Sequence, residues 1–206
     1  KPEVGHDSVN TEKVIISQEL TVSAAELRRL AHHISDSIYE ALTGEKGIFS
    51  TRIAYVLVKP EPGKTTQYLL EVADMDGHNP RPILRSNEPI MSPSWSPDGK
   101  KIAYVSFENK RPRVYVSDLA SGKRKMMTSF PGINGAPAWS PDSKQLALAL
   151  SEGLNPNLYL LEVASGVLTQ LTNDSAINTE PKWAPDGHSL LFTSDRGGTP
   201  QIYRLA

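Results

Sequence analysis

The chain repeats itself at a fixed spacing. Trp95-Ser96-Pro97-Asp98-Gly99-Lys100 returns as Trp139-Ser140-Pro141-Asp142-Ser143-Lys144, and again as Trp183-Ala184-Pro185-Asp186-Gly187-His188. The tryptophans therefore stand 44 residues apart both times. A period of roughly 40 to 45 residues marks a four-stranded propeller blade, a sheet that buries its faces only by stacking on its neighbours. Other positions keep the spacing: Tyr115, Tyr159 and Tyr203; Asp118 and Glu162; Ser121-Gly122 and Ser165-Gly166; Thr128 and Thr172.

Each copy reads as four short strands. Trp95 closes the first, and Ser96-Pro97-Asp98-Gly99 supplies a turn, with Pro presetting φ and Gly accepting a positive one. Lys101–Val105 is the second strand, Arg113–Leu119 the third, and Arg124–Thr128 a weaker outer strand, rich residue types and turns alternating as a β protein requires. The recurring tryptophans read as packing between blades rather than as a ligand cage. Asp98, Asp142 and Asp186 read as turn formers rather than metal ligands, since none brings companion carboxylates.

A fainter copy lies upstream. Arg52-Ile53-Ala54-Tyr55-Val56 resembles the second strand and Tyr68–Asp74 the third, with no tryptophan strand before them. The sequence thus predicts about three and a half blades over residues 49–206, fewer than the four to eight of a closed ring. A piece of a longer propeller is the expectation.

Residues 1–48 differ in kind. Lys13–Val22 is expected to form a strand. Ser23-Ala24-Ala25-Glu26 is a capping box, and Leu27, Leu30, Ala31, Ile34, Ile38, Ala41 and Leu42 follow at helical spacing, predicting a helix over 23–43 that Gly44 stops. One strand and one helix cannot bury that stripe alone. His32 and His33 are adjacent and diverge around the helix, where a metal pair requires a spacing of four.

Little in the chain speaks for catalysis. There is no Gly-x-Ser-x-Gly elbow, no phosphate loop and no recognisable triad among the five histidines. The absence of cysteine excludes disulfides, thiol catalysis and Cys-based zinc sites. A net charge of −1 gives no reason to expect nucleic acid, and no apolar run is long enough for a membrane helix. The basic clusters Lys110-Arg111-Pro112-Arg113 and Lys123-Arg124-Lys125 read as solvated rim, and Asp195-Arg196-Gly197-Gly198 as a hairpin turn. More telling are the segments before each tryptophan: Ile90-Met91-Ser92-Pro93-Ser94, Ile133-Asn134-Gly135-Ala136-Pro137-Ala138 and Ile177-Asn178-Thr179-Glu180-Pro181-Lys182. They are expected to be loops joining one blade to the next around a channel mouth, and loops on a rigid scaffold are where binding resides.

These mouth segments, with Thr51-Arg52-Ile53-Ala54-Tyr55-Val56 after the helix and the Met91–Gly99 stretch, resemble the TolB family, the periplasmic component of the bacterial Tol–Pal envelope system. The Trp-Ser-Pro-Asp-Gly unit by itself is also similar to the propellers of prolyl-oligopeptidase-like and tricorn-type peptidases. The resemblance implies a mainly β chain: a partial six-bladed β-propeller over 49–206, preceded in 1–48 by the end of an α/β domain. It implies a non-enzymatic, cofactor-free protein, monomeric when intact. It also implies a role in outer-membrane integrity, cell division and colicin import. The implied partners are the lipoprotein Pal and competing colicin segments at the mouth, with TolA bound through an N-terminal segment not included here. Carried onto this sequence, the Pal contacts are Met91, Ser92, Ile133, Asn134, Ala136, Asn178, Thr179 and Glu180. Ala136, Thr179 and Glu180 match the family pattern, whereas Ile133 stands where a histidine is expected. The rival reading is the gating propeller of a serine peptidase whose catalytic domain lies elsewhere. A sugar- or metal-binding propeller is a weaker third.

Overall fold

The computed structural model describes residues 17, 19–60, 62–63 and 65–206. They fall into two compact units: residues up to Arg52 together with Asp74–His78, and Ile53–Ala73 together with Asn79–Ala206.

The first unit is built on one helix. A 3-10 turn, Ala24–Glu26, leads into α1, Leu27–Thr43. Glu26 reaches back to the Ser23 amide at 3.4 Å and its hydroxyl at 3.0 Å, which satisfies donors that a helix start leaves free. Gly44 ends the helix in the left-handed region at φ 77°, its N–H on the Glu40 carbonyl at 2.8 Å. Asp36 then pins the chain beyond the helix, accepting from the amides of Phe49 at 2.7 Å and Ser50 at 2.9 Å. Arg28 pairs with Asp76 in the same unit. Leu27, Ile38 and Leu42 on the helix are exposed. Half of the strand expected over Lys13–Val22 lies outside the described residues, and residues 17 and 19–22 carry no regular structure.

The second unit is a fan of four antiparallel sheets. β1 (Arg52–Lys59), β2 (Gln67–Asp74) and β3 (Arg81–Ser86) form the first. β4 (Ile90–Trp95), β5 (Lys101–Ser106), β6 (Arg113–Asp118) and β7 (Arg124–Met126) form the second. β8 (Asn134–Trp139), β9 (Gln145–Leu150), β10 (Asn157–Glu162) and β11 (Leu168–Gln170) form the third. β12 (Asn178–Trp183), β13 (Leu190–Ser194) and β14 (Gln201–Leu205) form the fourth. Strands follow one another in sequence within each sheet, as a blade meander demands. β4 lies against β8 and β8 against β12, so these first strands make the inner edge.

The core lies between sheets, which explains runs such as Leu146-Ala147-Leu148-Ala149-Leu150. Leu146, Leu148 and Leu150 join Ala103, Val105, Val114, Val116 and Trp139 in one cluster, while Ala147 joins Leu190, Trp183 and Leu205 in the next. Ile102 and Tyr104 turn the other way, towards Leu70, Val72 and Trp95. A strand buried on both faces shows no polar alternation, and here the two faces differ by size instead. The tryptophans pack between sheets, as the period predicts, and they occupy the small-residue side. Trp95, Trp139 and Trp183 each share a cluster with one alanine of the preceding sheet, Ala54 on β1, Ala103 on β5 and Ala147 on β9.

The Asp turns are local scaffolding. The Ser96 hydroxyl donates to Asp98 at 2.6 Å and accepts the Lys101 amide at 2.8 Å, while Asp98 accepts the Lys100 amide at 3.0 Å. Ser140 and Asp142 repeat this at 2.6 Å, with the Lys144 amide at 3.1 Å. Those bonds, the serine hydroxyl's first, hold both carboxyls below the ordinary aspartate range.

Candidate functional site

A second feature recurs with the same period. Ser92, Ala136 and Glu180 sit at φ 50°, 49° and 53°, in the left-handed region that residues other than glycine avoid. Each precedes a proline, and each lies in a register shift of the innermost pairing: Met91 to Ser94, Gly135 to Ala138 and Thr179 to Lys182. Proline has no N–H for a ladder, and within a sheet it is confined to edges and bulges; these three sit in bulges of edge strands. The bulge expels the preceding residue and stores strain of order 1–3 kcal/mol at each copy.

This corrects the expected loops. Met91, Ser92, Asn134, Ala136, Asn178, Thr179 and Glu180 lie on β4, β8 and β12, and Ile133 lies just before β8. Pairing resumes on both sides of each proline, so the segment stays in the sheet instead of leaving it. The recurrent X-Pro inside a strand pattern was the signal from which this follows.

The eight residues divide by exposure. Met91 (53%), Ile133 (42%), Ser92 and Glu180 are exposed, while Ala136 and Thr179 are half-buried. Ile177, equivalent to Ile133, is also exposed at 45%. These inner strands thus expose apolar side chains and one carboxylate, and Glu180 makes no ion pair among the described residues. Asn134 and Asn178 are different: they are buried at 2% and 0%, with their amides spent inward. Asn134 accepts the Phe130 amide at 2.9 Å and donates to the Phe130 carbonyl at 2.8 Å. Asn178 donates to Asp174 at 2.8 Å and Asn157 at 3.2 Å. They fasten the junction beneath the bulge rather than present a surface.

Arg196 completes that fastening in the last sheet, at a place where the sequence suggested only a turn. Its guanidinium donates to the Asn178 side-chain oxygen at 2.9 Å and to Asp174 at 3.2 Å. It also lies over the rings of Phe192 and Tyr203, 5.2 and 5.0 Å from their centroids. Beside it, Asp195 accepts the Ile177 amide at 2.7 Å. A planar fork stacked on aromatic faces is held in one orientation. The Arg196 fork thus braces the start of β12 around Asn178.

Among the described residues no group of three or more His, Asp or Glu is arranged to hold a metal, and no helix is long and apolar enough to cross a membrane.

Comparison with known proteins places this geometry. A family model described as the TolB beta propeller domain matches residues 39–206. The "Tol-Pal system protein TolB" of Legionella pneumophila (strain Corby) is 54% identical over 63% of this chain and 31% of its own length. That of Coxiella burnetii (strain RSA 493 / Nine Mile phase I) is 60% identical over 59% of this chain and 28% of its own. The crystal structure of TolB from Acinetobacter baumannii superposes with a TM-score of 0.85 at 49% identity, covering 92% of this chain and 47% of that one. The matched stretch thus spans less than a third of these curated relatives and about half of the solved chain.

Proposed function

The chain belongs to the TolB β-propeller family, and we propose that it is a non-enzymatic binding module of a Tol–Pal envelope system, receiving the lipoprotein Pal on the rim formed by the three bulges. The observation that carries this reading is the repetition of the left-handed bulge at Ser92, Ala136 and Glu180 on adjacent innermost strands. Strain reproduced at one end of successive blades, away from the packing core, is strain kept for contact. The names of the relatives supply the system.

In this reading the rim is preformed, so a loop of Pal loses freedom while the propeller loses little. Met91, Ile133 and Ile177 offer apolar contact, Glu180 an unpaired charge, and Ala136 and Thr179 room for close approach. Asn134 and Asn178 act from beneath. Colicin segments use the same rim, residues 1–48 close an α/β domain, and the setting is the periplasm, where the complex supports outer-membrane integrity and cell division. TolA binding belongs to a segment outside this stretch.

The repeat itself supplies fold-compatible tests. Ala136→Glu places at the second bulge the residue that the third bulge already carries, and Thr179→Arg puts a long side chain where Met91 stands in the second sheet. Calorimetric titration with matched Pal should show at least tenfold weaker binding for each variant at unchanged melting temperature. Undiminished affinity in both rejects this placement.

A further inference from the structure

At the opposite end of the blades, where Lys101 faces Asp118 across the ladder and the Ser-Pro-Asp turns lie, a groove of about 680 Å³ opens between the second and third sheets. Both sheets have all four strands, so the groove is flanked by complete blades. Its floor is apolar, made by Val116, Met127 and Val163. Its rim is basic: Lys101, Lys123, Arg124, Lys125 and Lys144 against Asp118 and Glu162. A rim excess of positive charge stands out in a chain of net charge −1.

Those two carboxylates are already engaged. Asp118 accepts from the Ser121 amide and hydroxyl, both at 2.8 Å, and Glu162 accepts from Gln145 at 2.9 Å. Arg124 is taken up by Glu108 at 2.7 Å and lies over the Tyr115 ring. Among the described residues, Lys101, Lys123 and Lys125 form no ion pair.

The repeat serves as an internal control on what the fold demands. One period later, Lys101, Lys123 and Lys125 are replaced by Gln145, Val167 and Thr169, while Asp118 and Met127 keep their character as Glu162 and Leu171. Lysines on an outer strand can serve to blunt a sheet edge, yet the next outer strand, β11, is Leu168-Thr169-Gln170 and does without them. The blade therefore does not require these charges. A concave apolar floor of this volume accommodates side chains, and ammonium groups around it that are held in no salt bridge select carboxylates.

We propose that this groove binds an acidic peptide segment, its apolar side chains on Val116, Met127 and Val163 and its carboxylates on Lys101, Lys123 and Lys125. It is separate from the mouth, and its occupancy does not depend on the rim's partner.

The test uses a short fluorescein-labelled peptide of alternating leucine and glutamate, read by fluorescence polarisation against the whole chain. The triple variant Lys101→Gln, Lys123→Val, Lys125→Thr imports the residues of the next copy and keeps the fold, which a thermal melt verifies. Binding is expected to weaken by about tenfold or more in that variant, to be lost when glutamine replaces glutamate in the peptide, and to be unchanged in Ala136→Glu. No binding to the parent chain, equal binding to the triple variant, or equal binding of the glutamine peptide each overturns the proposal. So does capture by phosphatidylglycerol vesicles without capture of the peptide, which would mark the lysines as a membrane-facing patch.

Discussion

The indole N–H of Trp139 donates to the backbone carbonyl of Ser94 in the preceding blade, 3.0 Å away. Ser94 is paired across the ladder with Ala103, so the indole lies over a small-residue pair. The next blade repeats the relationship: Trp183 donates to Ala138 at 3.2 Å, and Ala138 faces Ala147. Bond and cavity are thus one device, a polar latch set inside an apolar seam. Trp139→Phe keeps most of the packing and removes the latch. It should cost about 1 kcal/mol, the net worth of one hydrogen bond. Trp139→Ala also opens a cavity and should cost about 3–5 kcal/mol. Urea unfolding measures both, and equal effects of the two variants would remove the latch from the account.

The same seam predicts a penalty for overfilling. Ala147 is fully buried beneath Trp183. Ala147→Leu has to displace the indole or bend β9, and overpacking of this kind costs about 1–3 kcal/mol. The same substitution at exposed Ala164 should leave the denaturation midpoint unmoved.

The repeat made most of this legible in advance. The spacing of Trp95, Trp139 and Trp183 gave the strand order, the turns and the packing between blades, because inter-blade contact is imposed identically on every copy. The bulges were less visible. Proline inside Met91-Ser92-Pro93-Ser94 reads equally as a loop or as an interrupted strand, and only resumed pairing beyond it decides between them. Burial of Asn134 and Asn178 was hidden for a different reason. Asparagine is a surface residue by habit. Asn134 closes a local turn on Phe130, and Asn178 is also held by Asn157 and Arg196 from distant parts of the chain, a set of partners that no local pattern announces.

The bulges set sign and size for substitutions at Ala136. Its φ of 49° is strained for a side chain but free for glycine. Ala136→Gly should therefore stabilise slightly, by up to about 1 kcal/mol, the gain being offset in part by a more flexible unfolded chain. Ala136→Val places a β-branched side chain in the left-handed region and should destabilise by about 2 kcal/mol. Thermal denaturation that ranks valine above glycine would contradict the assigned conformation.

Acid response should follow the Ser-Asp turns. The Ser96 and Ser140 hydroxyls, and then the Lys100 and Lys144 amides, lower the folded-state pKa of Asp98 and Asp142. A group whose folded pKa is depressed adds stability that is fully present above its unfolded value, about 3.9 for aspartate. That contribution is lost as pH falls through the folded value. Ser140→Ala removes the largest cause at Asp142, so its carboxyl titration, followed by NMR, should move up towards the ordinary range. Asp98 should stay where it is. A shift of both, or of neither, would detach the effect from the hydroxyl.

Arg196 offers the sharpest separation of rim position from rim contact. It touches Asn178, Asp174 and two aromatic rings, and Glu180 lies beyond Asn178 on the same strand. Arg196→Lys keeps the charge but loses the planar fork and most of the stacking. Arg196→Met keeps apolar bulk but leaves the buried Asn178 oxygen without this donor, a loss of about 1–3 kcal/mol. If Arg196 works by holding the junction, both variants should weaken Pal binding several-fold and speed amide hydrogen exchange at Asn178 and Thr179. Exchange at Ala136 in the neighbouring blade should be unaffected. Weaker binding with unchanged exchange at Asn178 would instead make the partly exposed Arg196 side chain a direct contact.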